Sequence, residues 1–213
     1  IILSHWGLSR QMGEGESWKF HGDVLDTLTT YMRTATRLIF PEALGLMDWL
    51  NNLASTSIKQ QMENGEFPHL RWQTHDGFNV DYWSAKQETC TVRSTTLGDA
   101  EVAIADGDNP RPNKMVSAFA PNYVHSLDAL LLRETFKGWG DRLLTTIHDA
   151  VITLPSGIPL VRQNVKEAFI TVCENNTPQQ LAAQMGVSMD DLPLLEMGDA
   201  NLRDVRNSKF MFH

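Results

Sequence analysis

A chain of 213 residues with 42% hydrophobic and 21% charged residues can bury a real core, and its net charge of -8 argues against holding nucleic acid by bulk attraction. An acidic exterior is still compatible with a locally basic track. No apolar run approaches the roughly 20 residues needed to span a bilayer, and the opening Ile1-Ile2-Leu3 is too short for a signal peptide, so the expectation is a soluble, intracellular protein. The chain opens on Ile in the middle of an apolar stretch, from which a fragment with its N-terminal side missing is expected.

Taken in order, the pattern predicts a helix from about Trp18 to Leu38 and a second one starting at Pro41, which suits a first helical position. Leu44, Leu46, Met47, Leu50 and Leu53 give the second helix an apolar face, and Asn64-Gly65 ends it. Leu70 to Trp83 alternates around Asp76-Gly77, the chemistry of a two-residue hairpin turn. Thr89 to Thr96 and Glu101 to Ala105 read as a second strand pair joined by Leu97 to Ala100. The turn formers from Asp106 to Pro112 predict an exposed loop.

A helix is expected to follow Pro121 and run to about Phe136, packing Val124, Leu127 and Leu131 on the next hairpin. Leu143 to Ile147 and Ala150 to Leu154 are β-type runs on either side of His148-Asp149, and together they read as a buried hairpin with a charged bend. A helix from about Pro159 to Glu174, a capping box of Thr177 with Gln180, and a helical turn in the tail complete the pass. Cys90 and Cys173 have no partner at metal-ligand spacing and read as packing residues.

Two readings of Asp149 stay open on this segment alone. A buried carboxylate needs a partner, and a hard cation such as magnesium would supply one; an exposed turn residue needs none. Likewise His125 reads either as a polar contact for a ligand or as a helix-borne imidazole bonded to a carbonyl.

Ala120-Pro121-Asn122-Tyr123-Val124-His125-Ser126-Leu127-Asp128-Ala129, followed by Ile147-His148-Asp149, closely resembles the C-terminal palm motifs of single-subunit DNA-directed RNA polymerases of phages and mitochondria. Asp76-Gly77-Phe78, inside Trp72 to Trp83 and followed by a hairpin, resembles that family's specificity-loop region, and Asn201-Leu202-Arg203-Asp204 with Phe210-Met211-Phe212 resembles its C-terminus. The resemblance implies an α+β fold: the fingers and palm of a right-hand polymerase with a β-hairpin insertion. It divides the chain into a helical fingers and palm portion (1–69), the specificity-loop-like insertion (70–113) and a palm part with the catalytic hairpin and tail (114–213).

By the same resemblance, Asp149 would be a catalytic ligand of Mg2+ and His148 its neighbour. The family's second aspartate and the Lys and Arg of its fingers have no counterpart in the sequence. His125 would contact the transcript end, and Arg93, in the hairpin insertion, would read promoter DNA through its planar fork, although a solvated strand Arg fits the residue equally. Trp6-Gly7 would stand where the family has Tyr-Gly at the nucleotide sugar, or Trp6 is a core residue beside a turn. The implied activity is template-dependent RNA synthesis from ribonucleoside triphosphates, carried out by a full-length monomer in a phage-infected host's cytoplasm, or alternatively in a mitochondrion or plastid. The implied partners are the DNA template and promoter, the RNA transcript and the nucleotides, with no membrane. A DNA polymerase of the family-A type and a non-catalytic DNA-binding module are the rival readings.

Overall fold

The computed structural model describes residues 17–94, 98–140, 143–147, 150–195 and 198–209. It mixes helices with antiparallel two-stranded sheets, and the chain divides between Leu46 and Met47 into two units. The first unit holds helix α1, Ser17–Ile39, and the opening of α2, Pro41–Glu63. Within α1 the hydroxyls of Thr30, Thr34 and Thr36 each donate to a carbonyl four residues earlier at 2.8 Å, which satisfies them without interrupting the helix. Its Leu28, Tyr31, Met32 and Leu38 are exposed.

The second unit contains the core. Trp49, Leu50, Leu53, Ala54 and Ile58 of α2 recur at helical spacing and meet Leu70 and Trp72 of β1, Leu70–Gln73. Met115, Phe119 and Tyr123 of α3, Pro112–Phe136, and Leu181 and Ala182 of α5, Pro178–Gln184, close the cluster. Each of the larger side chains, fully withdrawn from water, contributes about 1.5–3 kcal/mol. Trp49 is 1% exposed and its indole N–H finds no partner among the described residues, a local cost offset by burying the ring.

Two glutamine amides fasten β1 at its ends. Gln61 of α2 accepts from the His69 N–H at 2.9 Å and donates to the His69 carbonyl at 3.0 Å. Gln184 of α5 accepts from the Gln73 N–H at 2.7 Å and donates to its carbonyl at 3.1 Å. A short edge strand thereby has backbone groups satisfied by side chains from two helices.

β1 pairs with β2, Asn79–Tyr82, with Gln73 opposite Asn79. The connection is therefore residues 74–78 rather than a two-residue turn around Asp76-Gly77. The reason lies in the side chains: Thr74 donates to Asp76 at 2.5 Å, and the Thr74 N–H and Gly77 N–H close the loop on Phe78 and Thr74 carbonyls. Gly77 takes a φ of 90°, which favours glycine.

β3, Ala85–Ser94, and β4, Gly98–Pro110, form a longer ribbon than the sequence suggests. The expected loop from Asp106 to Pro112 is instead strand as far as Pro110. Lys86 lies opposite Asp106 while Ala85 lies opposite Pro110, so the turn formers occupy an irregularity in the ladder. The ten residues of β3 span roughly 33 Å.

α3 begins at Pro112, not after Pro121, and carries Pro121 in its interior. Proline costs the helix a backbone hydrogen bond there, but Met115 and Phe119, both 0% exposed, are buried on the segment before it and hold the helix together. α4, Ile158–Asn175, packs along α3, with its Val165, Ala168, Ile170 and Val172 buried, and Asn164 donates to the Thr135 carbonyl at 3.1 Å. The capping box at Thr177 forms as expected, with Gln180 returning the bond to the Thr177 N–H. A 3-10 turn, Leu202–Asn207, supplies the helical turn of the tail. Cys90 is exposed on β3 and so is not a packing residue; Cys173 is half-buried, and burial pushes its thiol up.

Candidate functional site

Strands β5, Leu144–Ile147, and β6, Ala150–Thr153, flank His148-Asp149 and pair antiparallel, with Ile147 opposite Ala150 and Leu144 opposite Thr153. At the far end of the pair Thr153 donates its hydroxyl to the Leu143 carbonyl at 2.9 Å. Gly157 lies against that residue: a Cβ added there would stand 2.7 Å from Thr153 Oγ1 and 3.4 Å from the Trp139 ring. Trp139 is 5% exposed, so Gly157 sits beside a packed aromatic side chain.

The strand pair is not buried. Leu143, Ile147, Ile152 and Leu154 are exposed, because a two-stranded sheet has no second layer to cover its apolar side chains unless another element packs on it. His148 and Asp149 lie outside the described residues, as do Trp6 and Gly7. Among the described residues no group of three or more His, Cys, Asp or Glu comes together to hold a metal ion.

His125 is exposed on α3, and among the described residues its ring has no hydrogen-bond partner. Its neighbour Ser126 is fixed: the hydroxyl accepts from the Trp72 indole N–H at 2.9 Å and donates to the Tyr123 carbonyl at 2.6 Å. Trp72, Phe119 and Tyr123 form an aromatic cluster beneath, with Trp72 edge-on to Phe119 at 5.4 Å, and burial pushes the Tyr123 hydroxyl up to about 12. Tyr123 and Leu127 therefore turn to the β1 side, and Val124 is exposed rather than packed on the next hairpin as expected. Arg93 is exposed on β3, its Cα opposite that of Asp99 near the tip of the ribbon. The site candidates thus occupy separate elements: Arg93 on the β3–β4 ribbon, His125 on α3, and His148-Asp149 between β5 and β6.

Sequence reasoning missed a charged cluster that joins the 74–78 connection to the end of α3. Arg133 donates to Asp76 through Nε at 2.5 Å and through Nη2 at 3.2 Å, and stacks over the Phe78 ring at 4.9 Å. The Arg133 hydrogen bonds, with help from Thr74, hold the Asp76 carboxyl well below the usual carboxylate range against the effect of burial. Beside it Glu134 meets His75 at 3.2 Å and Lys137 at 2.7 Å, and the Asn176 amide lies 3.2 Å from the other His75 nitrogen. Only Asp76-Gly77 was visible as a motif; Arg133 gives no local signal, since its partner lies 57 positions away.

The family model described as DNA-dependent RNA polymerase matches residues 10–194. The DNA-directed RNA polymerase of Enterobacteria phage K11 is 27% identical over 221 residues, covering 94% of this chain and 24% of that one. T7 RNA polymerase of Escherichia phage T7 is 28% identical and covers 80% of this chain and 22% of its own length. DNA-directed RNA polymerase 1, mitochondrial, of Nicotiana sylvestris is 28% identical over 84% of this chain and 18% of its own. The chain spans a quarter or less of the length of these relatives.

Proposed function

The chain belongs to the DNA-dependent RNA polymerase family, and on that premise we propose that it supplies the part of a template-directed RNA polymerase that carries one catalytic aspartate, Asp149. The observation that carries this reading is the extent of the family match, residues 10–194, which includes both the His125 motif and the strands on either side of His148-Asp149. In this reading residues 1–69 are a fingers and palm portion, 70–113 the DNA-facing insertion and 114–213 the palm.

Asp149 is the residue that would hold magnesium, with His148 beside it. When bound, the ion supplies charge stabilisation to the attacking and leaving oxygens of nucleotidyl transfer. The chain's own residues position the rest. The paired backbones of Ile147 and Ala150 fix the strand ends on which the catalytic pair is carried, and the Thr153 hydroxyl, bonded to the Leu143 carbonyl, closes the other end. Ser126, locked between Trp72 and Tyr123, sets the helix turn that presents His125 to solvent, where its imidazole can donate to or accept from the edge of an RNA strand. The β3–β4 ribbon has the two-stranded form that a DNA major groove admits, with Arg93 near its tip.

Template, promoter, transcript and ribonucleotides are the partners this reading implies. No helix among the described residues is long and apolar enough to cross a membrane. Because the relatives include phage as well as plastid and mitochondrial enzymes, we assign the parent enzyme to a phage-infected host's cytoplasm ahead of an organelle.

The 213 residues alone should not extend a primer, because a single carboxylate provides too little charge to hold a pair of hydrated ions. The test is primer extension by the purified chain with magnesium and all four ribonucleotides. No template-dependent product is expected; product that disappears with Asp149→Ala would mean that the chain holds a complete active site.

A further inference from the structure

The geometry points to a phosphate-binding groove between α4 and the C-terminal 3-10 turn, lined by none of the residues assigned above to catalysis. A cavity of about 430 Å³ opens there, lined by Pro159, Arg162, Gln163, Lys166, Glu167 and Arg206. Three cations face one carboxylate, a locally positive surface on a chain whose net charge is -8.

The pairing within the groove leaves donors to spare. Glu167 takes Arg206 in a two-point contact, Nε and Nη2 each at 2.8 Å, which leaves the remaining guanidinium N–H groups open. Lys166 donates to the backbone carbonyls of Arg206, at 3.0 Å, and of Ser208, so its ammonium is held in place by neutral acceptors and its charge is not cancelled. Arg162 is exposed and has no carboxylate partner among the described residues. Gln163 adds an amide. A fixed ammonium, a free guanidinium fork and a second guanidinium beside them form a donor set suited to a tetrahedral anion with several acceptor oxygens.

The ligand class is a phosphate group, supplied either by a nucleic-acid backbone or by a free phosphate compound. The groove does not depend on the assignment of Asp149: a working polymerase with an empty groove would overturn this inference alone.

The test is an NMR titration of the isotope-labelled 213-residue chain, followed at backbone amides, with inorganic pyrophosphate and separately with a short oligothymidylate. Saturable shifts at Arg162, Gln163 and Arg206 are expected. Arg162→Gln should weaken binding about tenfold or more, the worth of a charge-assisted hydrogen bond, while Glu167→Gln, which removes the negative charge and releases Arg206, should tighten it several-fold. Both side chains are at the surface, and unchanged unfolding midpoints in the two variants would separate lost binding from lost structure. Shifts with pyrophosphate alone assign the groove to free phosphate compounds, and shifts with both assign it to the backbone as well. A groove left unperturbed by both ligands, or undiminished binding by Arg162→Gln, would overturn the proposal.

Discussion

Arg133 reaches from the last turns of α3 to Asp76 on the connection between β1 and β2, its Nε 2.5 Å from a carboxylate oxygen. The Asp76 side chain is 16% exposed, so this ion pair is better shielded than those on the open surface, such as Lys59 with Glu63. It ties the connection between β1 and β2 to the helix that bears His125.

Asp76→Asn is expected to destabilise the fold by about 1.5–3 kcal/mol at neutral pH, the range for hydrogen bonds to a charged group. The carboxyl is depressed in the folded chain, so its stabilisation is fully present above the unfolded value of about 3.9 and lost as pH falls toward the folded one. Urea unfolding at a series of pH values should show a constant gap between wild type and variant down to about pH 4. Below that the gap should close, and a gap that persists into strong acid would contradict this account of Asp76.

Ser126→Ala leaves the Trp72 indole N–H without its acceptor in a site where the side chain is 4% exposed. The expected loss is about 1–3 kcal/mol, read as a lower urea midpoint. With Trp72→Phe added the orphaned donor is gone, so the double variant should lose less than the sum of the two single variants. A double variant less stable than the sum of the two singles would show that the hydrogen bond is not the cause.

Local signals in this sequence proved legible and long-range ones did not. Thr177 and Gln180 make a capping box from residues three apart, and the strands around His148-Asp149 pair as their β-type runs suggest. Pro121 was misread as a helix start because the burial of Met115 and Phe119, which keeps the helix intact before it, depends on partners in α2 and β1. Asp106 to Pro110 looked like a loop because its residues favour turns; the partners that keep it in a strand, Ala85 and Lys86, lie on the other side of the ribbon. Arg133 was invisible for the same reason. The exposure of Ile147 and Ile152 ran against an apolar pattern that reads as core.

Gly157→Ala tests how the strand pair is anchored. The backbone of Gly157, at φ -87° and ψ -17°, is open to alanine, so the cost is steric: the new Cβ meets Thr153 Oγ1, whose bond to the Leu143 carbonyl closes the end of the pair. A loss of about 1–3 kcal/mol is expected, with faster hydrogen exchange at the amides of β5 and β6. Unchanged exchange in those strands would mean that the contact does not support them.

The central claim is that Asp149 is a catalytic metal ligand for RNA synthesis. Its most direct test is primer extension on a DNA template, with magnesium and all four ribonucleotides, by the polypeptide of the whole reading frame with and without Asp149→Ala. Template-dependent RNA from the wild type and a rate lower by more than about a hundredfold in the variant is the predicted result, the scale on which loss of a charge-stabilising group in an active site is felt. An Asp149→Ala polypeptide that synthesises RNA at the wild-type rate would contradict it.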